Sequence, residues 1–524
     1  MNKLTQNFKK LFTQENIVAL ATILLILHPI LDLDYLLYGI LDPLGLPLPS
    51  TGLHFLAMPL FILLVFAFIE PKKKKVFLWA SGYGLLVMAY FVVHHLFTKD
   101  MFELLYLTNR YEYSVTTELR YVLTLIIPFG LIYAFYRSQF TQTLFNKIIV
   151  ILSILISVPL VLSNIFVFGP STYVGQTMAN FFYWFNGIYE IFHPRQLATS
   201  FYFSEGNTTG ILLFAIYPIL INIYFQAKHK WLLLLLIATQ GLAMYVLATR
   251  VATFGAPLMM GVMLFLYVGL SLIRQHKFEW KPFLLLSLVF MILLAMFPFT
   301  PAVVNQTIDS ENDGLVLNED YQRLEGKEAI KGQNLIPGTA EFNYFYQFMF
   351  EEYYFLLTIP AIYYEWYYPY EIDPKFYVDL IFEYELYQRA SGRQFEQIFF
   401  DYKWDKLTDT QKLFGFGYSR FMMGSIVLEQ DFKQQMYTLG YLGTLLLTFP
   451  WLLTLAYIVI SMLRNIKKHL NLETLSIGMA ITATYGAAYM SGHVLDQFFT
   501  TSFMALFVAV LLGKIWGRKE VHSE

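Results

Sequence analysis

The 524-residue chain has no cysteine. That excludes disulfides, thiolate nucleophiles and thiolate metal sites. Charge is scarce too: Asp, Glu, Lys and Arg make up 14% of the residues while 57% are hydrophobic, against roughly a quarter charged in soluble domains. No Walker loop, dinucleotide fingerprint or nucleic-acid motif is present, and the His, Asp and Glu residues show no metal-ligand spacing. No cofactor and no bound metal are expected.

What the chain does contain is apolar runs long enough to cross about 30 Å of hydrocarbon. They fall near 17–32, 52–69, 76–97, 118–136, 147–168, 208–225, 231–248, 254–273, 282–300, 438–463, 473–490 and 496–513. The expected fold is an all-α polytopic membrane protein of about twelve helices, because open sheets leave backbone groups unpaired in lipid. Fifty Phe and 38 Tyr suit helices that meet both lipid and its interface. The polar, basic first 16 residues lead into an apolar run without a small-residue cleavage site, so this reads as a retained first span.

Alternate loops hold Lys3, Lys9 and Lys10; Lys72 to Lys75; Arg137; Lys228 and Lys230; Arg274, Lys277 and Lys281; Arg464, Lys467 and Lys468; and Lys514, Arg518 and Lys519. The positive-inside rule then places both termini in the cytoplasm. The intervening set is poorer in base and includes the long stretch 301–437, with 22 acidic against 11 basic residues. Its tyrosine- and phenylalanine-rich middle argues for folding. The expected organisation is membrane helices over 1–300, an outward-facing, largely helical cap over 301–437, and membrane helices with a cytoplasmic tail over 438–524. Within the cap, 305–340 reads as irregular, 343–370 as an amphipathic aromatic segment broken at Pro360 and Pro369, and 374–412 as helical, with Arg389 and Arg393 on one face.

Candidate functional groups lie near the predicted outer ends of the spans. Arg250, in AMYVLATRVATFGAP, is read two ways: as a boundary arginine snorkelling to headgroups, or as a guanidinium gripping a diphosphate, whose oxygens match its donor fork. Arg195, Arg110, Arg120, Arg389, Arg393 and Arg420 are solvated loop charges if taken singly. Together with Arg250 they put many guanidinium groups on the side that the cytoplasmic bias leaves poor in base. Glu429 and Asp431 precede the tenth span, either as acid–base groups or as acidic residues at a helix N-terminus. His493 and Asp496 close the eleventh, where a general base and a structural hydrogen bond are both open readings. His94 and His95 are weaker candidates.

Several stretches resemble the O-antigen ligase and Wzy-type polysaccharide polymerase superfamily. They are GNTTGILLFAIYPIL, ATRVATFGAPLMMG, ASGRQFEQIFFDY, LFGFGYSR followed by LEQDFKQQMYTLGYLG, and SGHVL. Their order and the large loop between them span about 190–500. The resemblance implies a GT-C-like, metal-independent membrane glycosyltransferase. Its donor would be an oligosaccharide on undecaprenyl diphosphate at the outer face of the bacterial cytoplasmic membrane. Arg250, Arg195 and Arg393 would neutralise the leaving diphosphate, with Glu429 or His493 acting on the acceptor hydroxyl. Arg420, Arg389, Arg120 and Asp431 would bind substrate, and a chain-length regulator is a reasonable partner.

The chain departs from that pattern at Ala248 and Val251, and it has no histidine between 301 and 437. The latter favours a polymerase over a ligase. Transfer to a protein acceptor, transport of a lipid-linked glycan, and a sensor or scaffold are the competing readings. The placement of the cap after the ninth span argues against transport.

Overall fold

The computed structural model describes residues 12–99, 101, 113–172, 179–185, 198–306, 320–357, 359–385, 388, 392–419, 426, 428–490 and 492–517. They are helical with short connections, and no strand occurs among them. Each of the twelve apolar runs coincides with helix to within a few residues at its ends. Among the described residues, ten helices are long and apolar enough to cross a membrane. The other two runs are the 17-residue helix Lys230–Val246 and the 19-residue helix Leu472–Met490. The chain is a polytopic all-helical membrane protein.

Two compact units make up the fold. The first comprises residues 1–82, 123–305 and 450–524; the second comprises 83–122 and 306–449. At the centre of the first unit stands the helix Gly206–Gln226, whose apolar window is 100% buried. A helix apolar on all sides belongs inside a bundle. Its neighbours include Gln142–Ile165, Lys230–Val246, Arg250–Leu272 and Leu472–Met490. Small residues set the approach: a methyl group at Gly255 would collide with the Phe214 ring, and one at Gly241 would stand 2.8 Å from the Tyr217 hydroxyl. Buried polar bonds tie the helices across the seam. Ser153 donates to Gln240 Oε1 at 2.6 Å, and Gln240 Nε2 donates to the Leu213 carbonyl at 2.7 Å. In contrast, Trp280–Gln306 is only 17% buried and turns Leu284, Leu288, Met291 and Ile292 outward, the pattern of a lipid-facing helix.

The second unit has an aromatic core that includes Phe350, Tyr368, Phe376, Tyr377, Phe382, Phe395, Phe399 and Trp404. One expectation for this stretch is corrected here. Residues 305–340 are not irregular throughout, because Asp320–Ile330 is a helix. It lies on Pro374–Glu383 through Gly326, where a methyl group would collide with the Phe382 ring. The stretch 374–412 is helical as expected, in separate pieces. Pro374–Glu383 ends, Gly392–Asp405 begins afresh, and Asp409–Phe414 follows behind a Thr408 capping box. Arg323 explains the first ending. Its guanidinium donates to the carbonyls of Ile381 at 2.8 Å, Phe382 at 3.1 Å and Tyr384, so the last helical carbonyls are satisfied from outside the helix.

Gly326→Ala is expected to overpack the contact with Phe382 and cost about 1–3 kcal/mol. Thermal unfolding of the detergent-solubilised protein checks it: an unchanged midpoint would show that the ring moves aside freely.

Candidate active site

In the first unit, Arg250 opens the helix Arg250–Leu272 with Thr249 as its N-cap. The approach to the central helix is close, since a methyl group at Gly210 would stand 2.7 Å from Thr249 Oγ1 and 3.1 Å from Ala252 Cβ. Ahead of Thr249 the backbone turns through a left-handed residue, Ala248, at φ 59°. The turn is held by bonds from outside, Thr199 N to Val246 O at 2.8 Å and Thr172 Oγ1 to Leu247 O at 2.7 Å. Buried Thr249 Oγ1 and Thr253 Oγ1 make no hydrogen bond among the described residues. The Arg250 side chain is exposed and makes no ion pair among the described residues. A helix N-terminus, a guanidinium with no carboxylate partner among the described residues and two buried hydroxyls thus fall within one turn of the chain, and each favours an anion.

The segment entering the central helix is fixed at the same end of this unit. Asp32 accepts from Ser204 N at 2.9 Å and Ser204 Oγ at 2.6 Å, and Glu205 accepts from Thr208 Oγ1 at 2.7 Å. Burial pushes the Asp32 carboxyl above its usual range despite the bonds from Ser204. His28 and His54 lie 2.8 Å apart at their Nε2 atoms, and His54 stacks on Phe498. His493, at φ 57°, faces Asp496 with Nδ1 to Oδ2 at 3.3 Å. Asp496 is nearly fully buried, so it fixes the orientation of the imidazole.

In the second unit, Arg393, in the first turn of Gly392–Asp405, forms an ion pair with Glu429. Both side chains are about a third exposed, so the pair is worth only ~0–1 kcal/mol and either partner can be exchanged for a ligand. Asp431 is buried at the first position of Asp431–Gly443, the place where a helix dipole favours an acid. Arg120 is exposed on Val115–Ser138. Arg195, Arg389 and Arg420 lie outside the described residues. Among the described residues, no three His, Asp or Glu groups converge as metal ligands.

Gly415 and Gly417 form a built feature of this unit. The helix Asp431–Gly443 breaks at Gly440, at φ 68° and ψ −179°. The carbonyls of the preceding turn are satisfied by others: Tyr437 O by Phe416 N at 2.8 Å, Thr438 O by Gly417 N at 2.9 Å, and Leu439 O by the Tyr90 hydroxyl at 2.6 Å. Gly415, at φ 75°, and Gly440 touch backbone to backbone, so neither has room for a side chain. The sequence reading did not single out Glu118, which is fully buried, accepts from Ser419 N at 2.6 Å and lies 3.4 Å from His94. Its signal was an acid at the mouth of an apolar run.

Deeper in the aromatic core, Lys403 is buried and donates to the Tyr368 hydroxyl at 2.6 Å; Tyr368 and Tyr402 in turn donate to Asp373 Oδ2 at 2.8 and 2.7 Å. Burial, with the charge of Lys406, pushes the Lys403 ammonium down to about 7, against the pull of Asp373. Burial works to raise Asp373, but the Tyr402 bond, the Lys406 charge and the Tyr368 bond hold it below its usual value.

A profile of the family described as O-antigen ligase like membrane protein matches residues 14–516. No curated protein and no solved structure matches the chain.

The unfolded chain holds the Lys403 proton up to its ordinary 10.5, the folded chain only up to about 7. Stability therefore rises with pH between those values and is lowest below 7. Lys403→Met is expected to raise the melting temperature at pH 6 and to show a much smaller gap to wild type at pH 9.5, the gain at pH 6 being a few kcal/mol at about 1.4 kcal/mol per pKa unit. Parallel melts at the two pH values check it; a variant less stable at pH 6 would show that the ammonium is a net stabiliser.

Proposed function

The chain belongs to the family of O-antigen ligase-like membrane proteins, membrane enzymes of glycan transfer, and from that premise we propose that it polymerises oligosaccharide repeats carried on undecaprenyl diphosphate. The reaction takes place at the outer face of the bacterial cytoplasmic membrane, with both termini inside and the stretch 301–437 outside. The hydroxyl of one lipid-linked repeat attacks the anomeric carbon of another. The bond from that carbon to the diphosphate oxygen breaks, the diphosphate leaves with the electron pair, and the hydroxyl proton passes to a carboxylate or imidazole.

The observation that carries this reading is the Arg250 corner. An exposed guanidinium stands at a helix N-terminus whose first turn carries buried hydroxyls, and neither the guanidinium has a carboxylate partner nor the hydroxyls a hydrogen-bond partner among the described residues. Negative charge grows on the diphosphate as the bond breaks, and fixed donors aimed at it supply the largest stabilisation. Arg250 is assigned that role first, with Arg195 and Arg393. Glu429 or His493 takes the proton, and Arg420, Arg389, Arg120 and Asp431 bind the sugar and phosphate groups. The partly exposed Arg393–Glu429 pair supports a coupled role, in which an arriving diphosphate claims the guanidinium and frees the carboxylate as base. Transfer of the glycan to a different surface acceptor is the second reading, favoured by the family's description.

The test is to incubate the full-length protein with lipid-diphosphate-linked repeats and no nucleotide sugar. A ladder spaced by whole repeats supports the polymerase. Product only after a distinct acceptor is added identifies the ligase. Arg250→Ala is expected to abolish the ladder with the protein still inserted. Arg393→Ala should lower the rate by ~100-fold, as loss of one transition-state donor does, while shifting stability by at most ~1 kcal/mol. Normal chain length in the Arg250 variant would remove the assigned role.

A further inference from the structure

The segment 414–419 is seated by two sets of partners within the second unit. On one side, Phe416 N and Gly417 N bond the carbonyls released by the break at Gly440. On the other, His94 Nδ1 faces the Phe414 carbonyl at 2.7 Å, Glu118 Oε1 accepts from Ser419 N at 2.6 Å, and Ser114 N donates to Ser419 Oγ at 3.3 Å. Rings reinforce the seat: Phe414 stacks on Phe97 with centroids 4.6 Å apart, and Tyr418 on Tyr121 at 3.7 Å. A methyl group at Gly417 would stand 3.0 Å from Glu118 Oε1.

The two ionisable groups share one proton. His94 Nδ1 faces a carbonyl, which only accepts, and the Tyr90 oxygen at 3.3 Å, whose own hydrogen is given to Leu439 O. Nδ1 must therefore carry hydrogen. Nε2 faces Glu118 Oε2 at 3.4 Å, and both side chains are 0% exposed. Two bare acceptors in that spot would repel, so a single proton lies between them, on the imidazolium or on the carboxylic acid. Either state holds the same geometry. Such a pair is costly to bury, and nothing in the reaction above uses it.

The geometry points to His94 and Glu118 as a positioning pair for glycan transfer: they lock the segment 414–419, which in turn locks the helix that begins two residues after Glu429. Helix Asp431–Gly443 is bonded to that segment at Tyr437 and Thr438, and the segment is bonded to the helices Lys73–Thr98 and Val115–Ser138 through His94 and Glu118. The Tyr90 hydroxyl adds a direct bond from Lys73–Thr98 to the broken turn, at Leu439. Loosening the pair shifts Glu429 relative to its partner Arg393. This rests on the functional reading above.

The absence of cysteine makes a clean reporter available. Ser419→Cys introduces a single thiol at a position 1% exposed, and its rate of labelling by a maleimide reads release of the segment. Glu118→Ala removes the acceptor. Glu118→Gln keeps it, because the amide oxygen accepts from Ser419 N and the amide hydrogens meet His94 Nε2 once the shared proton is gone. Labelling is measured in full-length Ser419→Cys protein with each Glu118 variant, and turnover with lipid-diphosphate-linked repeats in the cysteine-free background. Glu118→Ala is expected to speed labelling by ~10-fold or more and to lower kcat per folded molecule by ~10- to 100-fold, the scale of an ångström-sized misplacement. Glu118→Gln should stay within about threefold of wild type on both readouts. Unchanged labelling in Glu118→Ala would overturn the lock. Faster labelling with unchanged turnover, or Glu118→Gln as slow as Glu118→Ala, would overturn the positioning role. A wild-type protein that turns over no donor would sink the functional reading instead, and the labelling rates would still decide the lock.

Discussion

A buried helix that interrupts its own ladder must find new partners for every carbonyl it releases, because no water is there to take them. The break at Gly440 meets that demand with a loop drawn from another part of the chain. Two amide hydrogens from Phe416 and Gly417 and one hydroxyl from Tyr90 fill the three carbonyls. Much of the second unit follows from this. The loop can donate those hydrogens only if its own ends are held, which brings in His94, Glu118 and Ser114. Those residues in turn draw 83–122 into one unit with 306–449. The broken helix starts at Asp431, two residues after Glu429, so the candidate chemistry inherits its position from the same bonds.

The first unit solves the opposite problem with an unbroken, wholly buried helix. Gly206–Gln226 has no lipid-facing side to stabilise it, so small residues and buried amides set its contacts. Its entry at Ser204 is pinned to Asp32, and its first turn receives Thr249 against Gly210. The result is a rigid frame around Arg250, whose side chain is left exposed. A packed frame that leaves the Arg250 cation without a carboxylate partner among the described residues suits the gripping of an anion that changes charge during a reaction.

The membrane helices were legible because hydropathy over a window is a local property, and each of the twelve apolar runs proved helical. The seating of Thr249 against Gly210 was not legible, because the sequence marks the two motifs but not their contact. What could not be read was set by contacts distant in sequence. The bond between Glu118 and Ser419 spans 301 residues and that between His94 and Phe414 spans 320. Helix Asp320–Ile330 looked irregular because its sequence DYQRLEGKEAI is polar; what holds it is Gly326 under Phe382 and Arg323 on distant carbonyls. The end of Pro374–Glu383 was missed for the same reason, as its cap comes from Arg323. The Arg393–Glu429 pair joined two residues that had been considered separately.

Gly415 and Gly440 meet through main chain alone, and this has a genetic consequence. When two side chains pack, loss of one can be answered by growth of the other, and a second-site revertant emerges at the facing position. Here no side chain exists to shrink. A mutation at either glycine leaves its partner with nothing to give up, so a screen for intragenic suppressors should return only true revertants at this joint, whereas the ring contacts around it remain open to exchange.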